Sequence, residues 1–153
     1  MSEQLALLAE SWTQAAEVYE AELVPGMADW EDQGMVPKSI WQRSNPADAN
    51  NLCTWAMRCL LVERDNQLML IDNGIGTKQD EKFFGHYHLH GNDSLDQSLQ
   101  RSGFNRNDIT DVILTHLHFD HCGGSIVRNG DNLEPAFKNA IFWSNFNHWN
   151  WAT

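Results

Sequence analysis

The chain has 153 residues, 42% apolar and 20% charged, a balance that excludes an intrinsically disordered composition and suits one domain with a core. The net charge is −11 and the pI about 4.8; so acidic a surface repels phosphate backbones, so neither nucleic acid nor an anionic membrane is an expected partner. MSEQLALLAE has no basic start and too short an apolar run for a signal or a membrane span, and Cys53, Cys59 and Cys122 lack C-x-x-C spacing, so reduced thiols in a cytoplasmic protein are expected.

In chain order, residues 3–24 read as an amphipathic helix. Leu5, Leu8, Trp12, Ala15, Tyr19 and Leu23 recur at three- and four-residue steps, Ser2 can cap the start, and Pro25-Gly26 ends it. Residues 25–51 are rich in Pro, Gly, Asn and Asp and read as turns. MRCLLVERDNQLMLIDNG, 57–74, predicts a β-hairpin whose second strand is apolar throughout and therefore buried on both faces. Residues 75–91 read as a polar loop containing HYHLH at 86–90. If extended, that segment sets His86, His88 and His90 on one face, but an aromatic-packed loop near a substrate entrance is the preferred reading. A short helix follows, with Asp93 as N-cap, Leu95 and Leu99 four apart, and Gly103 at its end. Val112–Thr115 reads as a buried strand, Asn129-Gly130 as a hairpin turn, and 139–143 as a further strand, with Ser144 capping a last helix from 145.

The strand at 112–115 runs directly into THLHFDHCGG. His116, His118, Asp120 and His121 fall within six residues. A lone histidine on a strand is usually structural; four imidazole and carboxylate donors together are the ligand set of zinc and similar divalent metals. An extended H-x-H pair sends both rings to one side, so His116 and His118 can reach one ion. Asp120 and His121 come after the chain has begun to turn and can serve a second. Gly123-Gly124 permit close approach and unusual dihedrals. Cys122 reads as a small residue filling the turn. Trp143, Trp149 and Trp151 read either as a pocket wall or as exposed core.

H-x-H-x-D-H after an apolar strand resembles the signature of the metallo-β-lactamase superfamily, matched by His116, His118, Asp120 and His121. Asp72 in LMLIDNG resembles the family's earlier strand-end Asp, although Asn73 stands where Thr is common. From about Val36 to Ala152 the wording (VPKSIW, NPADANN, CTWAMRCLLVE, KQDEKFFGHY, ITDVILTHLHFDHCGG, FKNAIFWSN, HWNWA) is similar to a lactonase-like bacterial branch of metal-dependent hydrolases. The resemblance implies an α+β, αββα sandwich. It also implies two zinc ions, the first held by His116 and His118 and the second by Asp120 and His121, and a bridging hydroxide attacking a lactone, ester or related bond of a small-molecule substrate. Asp120 would orient the nucleophile and take a proton, and Asp72 would hold the ligand loop by hydrogen bonds.

The family takes a further histidine for the first metal, a bridging aspartate and a last histidine from farther downstream. The only later histidine here is His148 in NFNHWNW, matched to an ordinary helix start and given no ligand role. The expectation is therefore residues 1–34 as an atypical N-terminal helix and turn-rich segment, and 35–153 as the N-terminal half of the domain. That half would hold two ligands per metal, with little turnover when isolated. The alternative is a non-catalytic relative or metal-binding module that needs a partner, a homo-oligomer or the missing half.

Overall fold

The computed structural model describes residues 14–17, 21–23, 38–44, 46–50, 52 and 54–153. The described residues fall into two compact units, one containing 14–17, 58–78 and 93–153 and the other 21–23, 79–92 and the described residues between 38 and 57.

The first unit is built on a five-stranded mixed sheet. Its strands are β1 (Gln14–Glu17), β4 (Leu60–Arg64), β5 (Gln67–Ile71), β6 (Asp111–Ile113) and β9 (Ile141–Trp143), in the order β1-β4-β5-β6-β9. The predicted hairpin is β4 and β5, antiparallel with Leu61 opposite Leu70, joined by a turn at Asp65, whose φ of 51° an aspartate tolerates. β5 then pairs with β6 in parallel, Leu70 beside Val112, and β6 with β9 in parallel, Val112 beside Phe142. A parallel neighbour needs a crossover, and residues 72–110 supply one through α3 (Leu95–Arg101).

Leu68, Met69 and Leu70 are all buried, as the unbroken apolar run requires. Leu61, Leu70, Leu95, Leu99, Ile109, Val112 and Phe137 form the centre of the core. Burying a side chain the size of Leu70 contributes about 2 kcal/mol. The α3 N-cap is Ser94, whose hydroxyl accepts from Gln97 N at 3.2 Å, rather than Asp93. Asp93 instead accepts from Arg101 Nη1 at 2.6 Å, and Gly103 ends the helix with φ +87° as expected. After β6 come α4 (Phe119–Cys122), a 3₁₀ turn (Gly123–Ser125), and the hairpin β7 (Ile126–Asn129) and β8 (Asn132–Pro135) around Gly130. α5 (Phe146–Ala152) is capped by Asn145, one residue later than predicted.

The second unit contains β2 (Ala21–Leu23) antiparallel to β3 (Trp55–Met57), α1 (Lys38–Trp41) and α2 (Glu81–Gly85). α2 corrects the loop reading of 75–91: the Asp80 side chain accepts from Phe83 N at 2.8 Å and starts a helical turn. The amphipathic helix over 3–24 is corrected where that segment is described, because Gln14–Glu17 and Ala21–Leu23 are strands. Gln14–Glu17 lies antiparallel on β4, Gln14 opposite Glu63 and Glu17 opposite Leu60. Local helix propensity loses there to the open backbone edge of β4, which a strand can satisfy and a helix cannot. The rest of that helix, with Ser2 and Pro25-Gly26, lies outside the described residues, as does Cys53. No helix among the described residues is long and apolar enough to cross a membrane.

Candidate metal centre

Three parallel strands end side by side, and each delivers part of the centre. Asp72 follows β5, Thr115 and His116 follow β6, and α5 with His148 follows β9. The ladder continues past the strands through Asp72 N to Ile113 O and Leu114 N to Trp143 O, each 2.9 Å. Ligand sites in sheets of parallel strands lie outside such carboxyl ends.

Asp72 organises the loop. Its φ is +58°, which aims the carboxylate back across the end of β6. Oδ1 accepts from Thr115 N at 2.8 Å, and Oδ2 meets Thr115 Oγ1 at 2.8 Å and His121 Nδ1 at 2.8 Å. Thr115 Oγ1 also lies 3.0 Å from His116 Nδ1. A carboxylate only accepts, so the hydroxyl gives it its one proton, and His116 must then donate from Nδ1. His121 donates from Nδ1 to Asp72 for the same reason. In its neutral form each imidazole then carries its free lone pair on Nε2, the form that binds a metal.

The loop is locked to the segment after β5. Asn73 N donates to His121 O and Gly124 N to Gly74 O, both at 2.9 Å, and Lys78 Nζ donates to Gly123 O at 2.8 Å. Asn73, 2% exposed, donates from Nδ2 to Ser125 Oγ at 2.7 Å. A Cβ on Gly123 would lie 2.2 Å from Ile75 O, and one on Gly124 2.2 Å from Asn73 O. The expected close approach is therefore present. The unusual dihedrals are not: Gly123 sits at φ −60°, ordinary helical backbone, so the glycines are required by space.

The four sequence-predicted donors lie close together at the end of β6. The His116 and His118 ring centres are 4.8 Å apart, and His121 Nε2 lies 3.6 Å from Asp120 Oδ2. Two donors each about 2.0–2.2 Å from one zinc stand about 3.3–3.6 Å apart at tetrahedral angles, so the Asp120–His121 pair fits adjacent positions on a divalent ion. The chemistry of this donor set suits such a metal. Among the described residues, however, no group of three donors already converges on one point. His116 and His121 stack at 3.8 Å. Partial burial lowers the His116 pKa first, helped by His121 and His118 and opposed by Asp72 and Asp120.

Two contacts were not anticipated from the sequence. The ring of His148 lies 5.9 Å from that of His116, and Trp151 meets His118 edge to face at 5.5 Å. His118, Asn147, His148 and Trp151 line a cleft of about 250 Å³. The signal available was the i, i+3 spacing of His148 and Trp151, which puts both on one helix face. HYHLH forms no comparable cluster: 86–88 is a turn, His88 has φ +48°, and all three histidines are exposed, which corrects the extended reading. Cys122 is half-buried, and burial raises its pKa.

Residues 58–126 match the Metallo-beta-lactamase superfamily. A curated N-acyl homoserine lactonase of Bacillus thuringiensis is 30% identical over 97 residues, covering 57% of this chain and 38% of that protein. A solved probable metal-dependent hydrolase from Staphylococcus aureus is similar with a TM-score of 0.75 and 25% identity, over 90% of this chain and 48% of that one. The dizinc quorum-quenching lactonase AidC is similar with a TM-score of 0.56 and 25% identity, over 90% of this chain and 46% of that one. The chain thus spans less than half the length of each of these relatives. The fold is α+β, and residues 58–126 are similar to the metallo-β-lactamase superfamily domain.

Proposed function

We propose that this chain is the metal-binding part of a zinc-dependent hydrolase acting on a lactone, ester or related bond of a small molecule. In this reading residues 35–153 are part of the metallo-β-lactamase-like domain, His116 and His118 hold the first ion, and Asp120 and His121 hold the second. The observation that supports it is the Asp72 network, which engages Nδ1 of His121 directly and Nδ1 of His116 through Thr115, so that the neutral rings present Nε2 as the metal-binding nitrogen. When bound, zinc supplies a water whose pKa falls from about 15.7 to about 7 and a Lewis acid for a carbonyl. The protein's own part is to hold the rings through Asp72 and Thr115. Asp120, half-buried at the mouth of the loop, orients the attacking water and accepts its proton at a carboxylate oxygen. Cys59 and Cys122, both free thiols, fit a reducing cytoplasmic setting.

A second reading is a non-catalytic module completed by a partner or by a second copy. It draws on the apolar edge of the first unit, where Ile141 is 59%, Trp143 53% and Phe146 74% exposed. With two donors per ion, zinc is held weakly and turnover by the isolated chain is small, since catalytic zinc normally takes three protein ligands.

The test is the metal content of the purified chain after dialysis against metal-free buffer, with light scattering alongside. Retained zinc that is lost in His116→Ala supports the metal-centre reading. Metal-free protein that also fails to take up added zinc sinks it, and a dimer holding zinc favours the second reading.

A further inference from the structure

We propose that His148 is a third imidazole donor for the ion held by His116 and His118, so that this chain has a three-nitrogen site of its own. The inference rests on the metal-binding reading above and adds a ligand to it.

Placement argues for it. α5 begins three residues beyond the end of β9, the strand parallel to β6, so its first turn reaches the same sheet end as the H-x-H pair. His148 is half-buried there and Trp151, one turn on, packs edge to face against His118. One face of α5 thus covers both rings of the pair. Spacing argues for it as well. A zinc–nitrogen bond of about 2.0–2.1 Å places the centres of two imidazoles sharing an ion about 5–6 Å apart. His116 lies 4.8 Å from His118 and 5.9 Å from His148, and both partners line the same cleft. His121 is a poor third donor for this ion: its Nδ1 is taken by Asp72, its Nε2 faces Asp120, and its ring stacks on His116 at 3.8 Å. Among the described residues the three nitrogens do not yet meet at one point, so the proposal requires the side chains to turn toward the ion as it binds. A site of three histidines with an open fourth position is a known catalytic zinc arrangement.

The test is zinc affinity by chelator competition on the full chain, comparing wild type with His148→Ala, His116→Ala and Asn150→Ala, each checked by circular dichroism. The expected result is at least a tenfold loss of affinity in both histidine variants and none in Asn150→Ala, an exposed residue of the same helix. X-ray absorption of wild-type protein carrying substoichiometric zinc gives a readout free of any variant, with three imidazoles in the first shell expected. Loss in His116→Ala with none in His148→Ala, or two imidazoles by absorption, overturns this inference alone. Unchanged affinity in both histidine variants overturns the metal-centre reading with it.

Discussion

The chain holds two segments with three histidines each, 115–124 and 86–90, and only one of them becomes a cluster. In the first, the histidines follow a buried strand, and Asp72 reaches His121 directly and His116 through Thr115. In the second, they follow a short helix on an exposed turn, where His90 Nδ1 lies 3.0 Å from its neighbour's carbonyl, His88 O. The residue type is the same; the anchoring differs. Imidazoles gather into a candidate site where a buried strand fixes the backbone and an acceptor fixes the tautomers.

The largest effect expected from breaking that anchoring comes from Gly123→Ala. Its Cβ would overlap the Ile75 carbonyl oxygen, a backbone atom, and neither side can yield without moving the histidine loop. A loss of about 3 kcal/mol or more is expected in urea unfolding. Gly85→Ala, one residue before the second histidine segment, meets nothing within 4 Å and should change stability by about 1 kcal/mol or less. Similar losses at the two positions would show that the loop is not held as described.

Asp72→Ala comes next. It leaves Thr115 N–H, the Thr115 hydroxyl and His121 Nδ1–H without their acceptor, which is expected to cost about 2–3 kcal/mol. Zinc affinity should fall about 10–100-fold, because the imidazole tautomers are no longer set. Asp72→Asn sharpens the point. Its amide oxygen still accepts from Thr115 N and asparagine tolerates positive φ, so stability should be largely kept while zinc affinity still falls. Zinc affinity unchanged in both variants would remove Asp72 from the site. The smallest change of this kind is expected in the other segment: replacing His86, His88 and His90 together by Ala should leave zinc affinity within about twofold, against about tenfold or more for His118→Ala.

Much of this was legible in the sequence, for physical reasons that can be named. The hairpin at 60–71 was readable, as was the next strand, expected over 112–115 and found at 111–113, because unbroken apolar runs bounded by turn residues have few alternatives. The clustering of His116, His118, Asp120 and His121 was readable because they are adjacent in the chain. His148 was not, because its proximity to His116 depends on β9 lying parallel to β6, a pairing no local pattern announces. The N-terminal helix failed for a related reason. Ala and Glu favour helix locally, and only the presence of an open β4 edge makes a strand of Gln14–Glu17. At Gly123 the sequence showed that glycine mattered but not why; neighbouring backbone, rather than dihedral freedom, excludes a side chain.

The anchored cluster should also leave a trace in pH dependence, measured with chelator present so that no metal competes. Partial burial and the adjacent His121 and His118 hold the His116 pKa below its ordinary 6.5, against the opposing pull of Asp72 and Asp120. The neutral ring is therefore the form the fold prefers. Above 6.5 the ring is neutral in folded and unfolded chains alike, and the contribution is fully present. As the pH falls below 6.5, the unfolded chain takes up a proton that the folded chain refuses, so stability drops through the interval down to the folded pKa. Below that value both forms are protonated and the decline stops. Replacing His116 by Gln should flatten this part of the curve, and the His116 ring resonances should titrate with a midpoint below 6.5. A midpoint at or above 6.5 would mean that the carboxylates, rather than burial and the neighbouring imidazoles, dominate the field at the cluster.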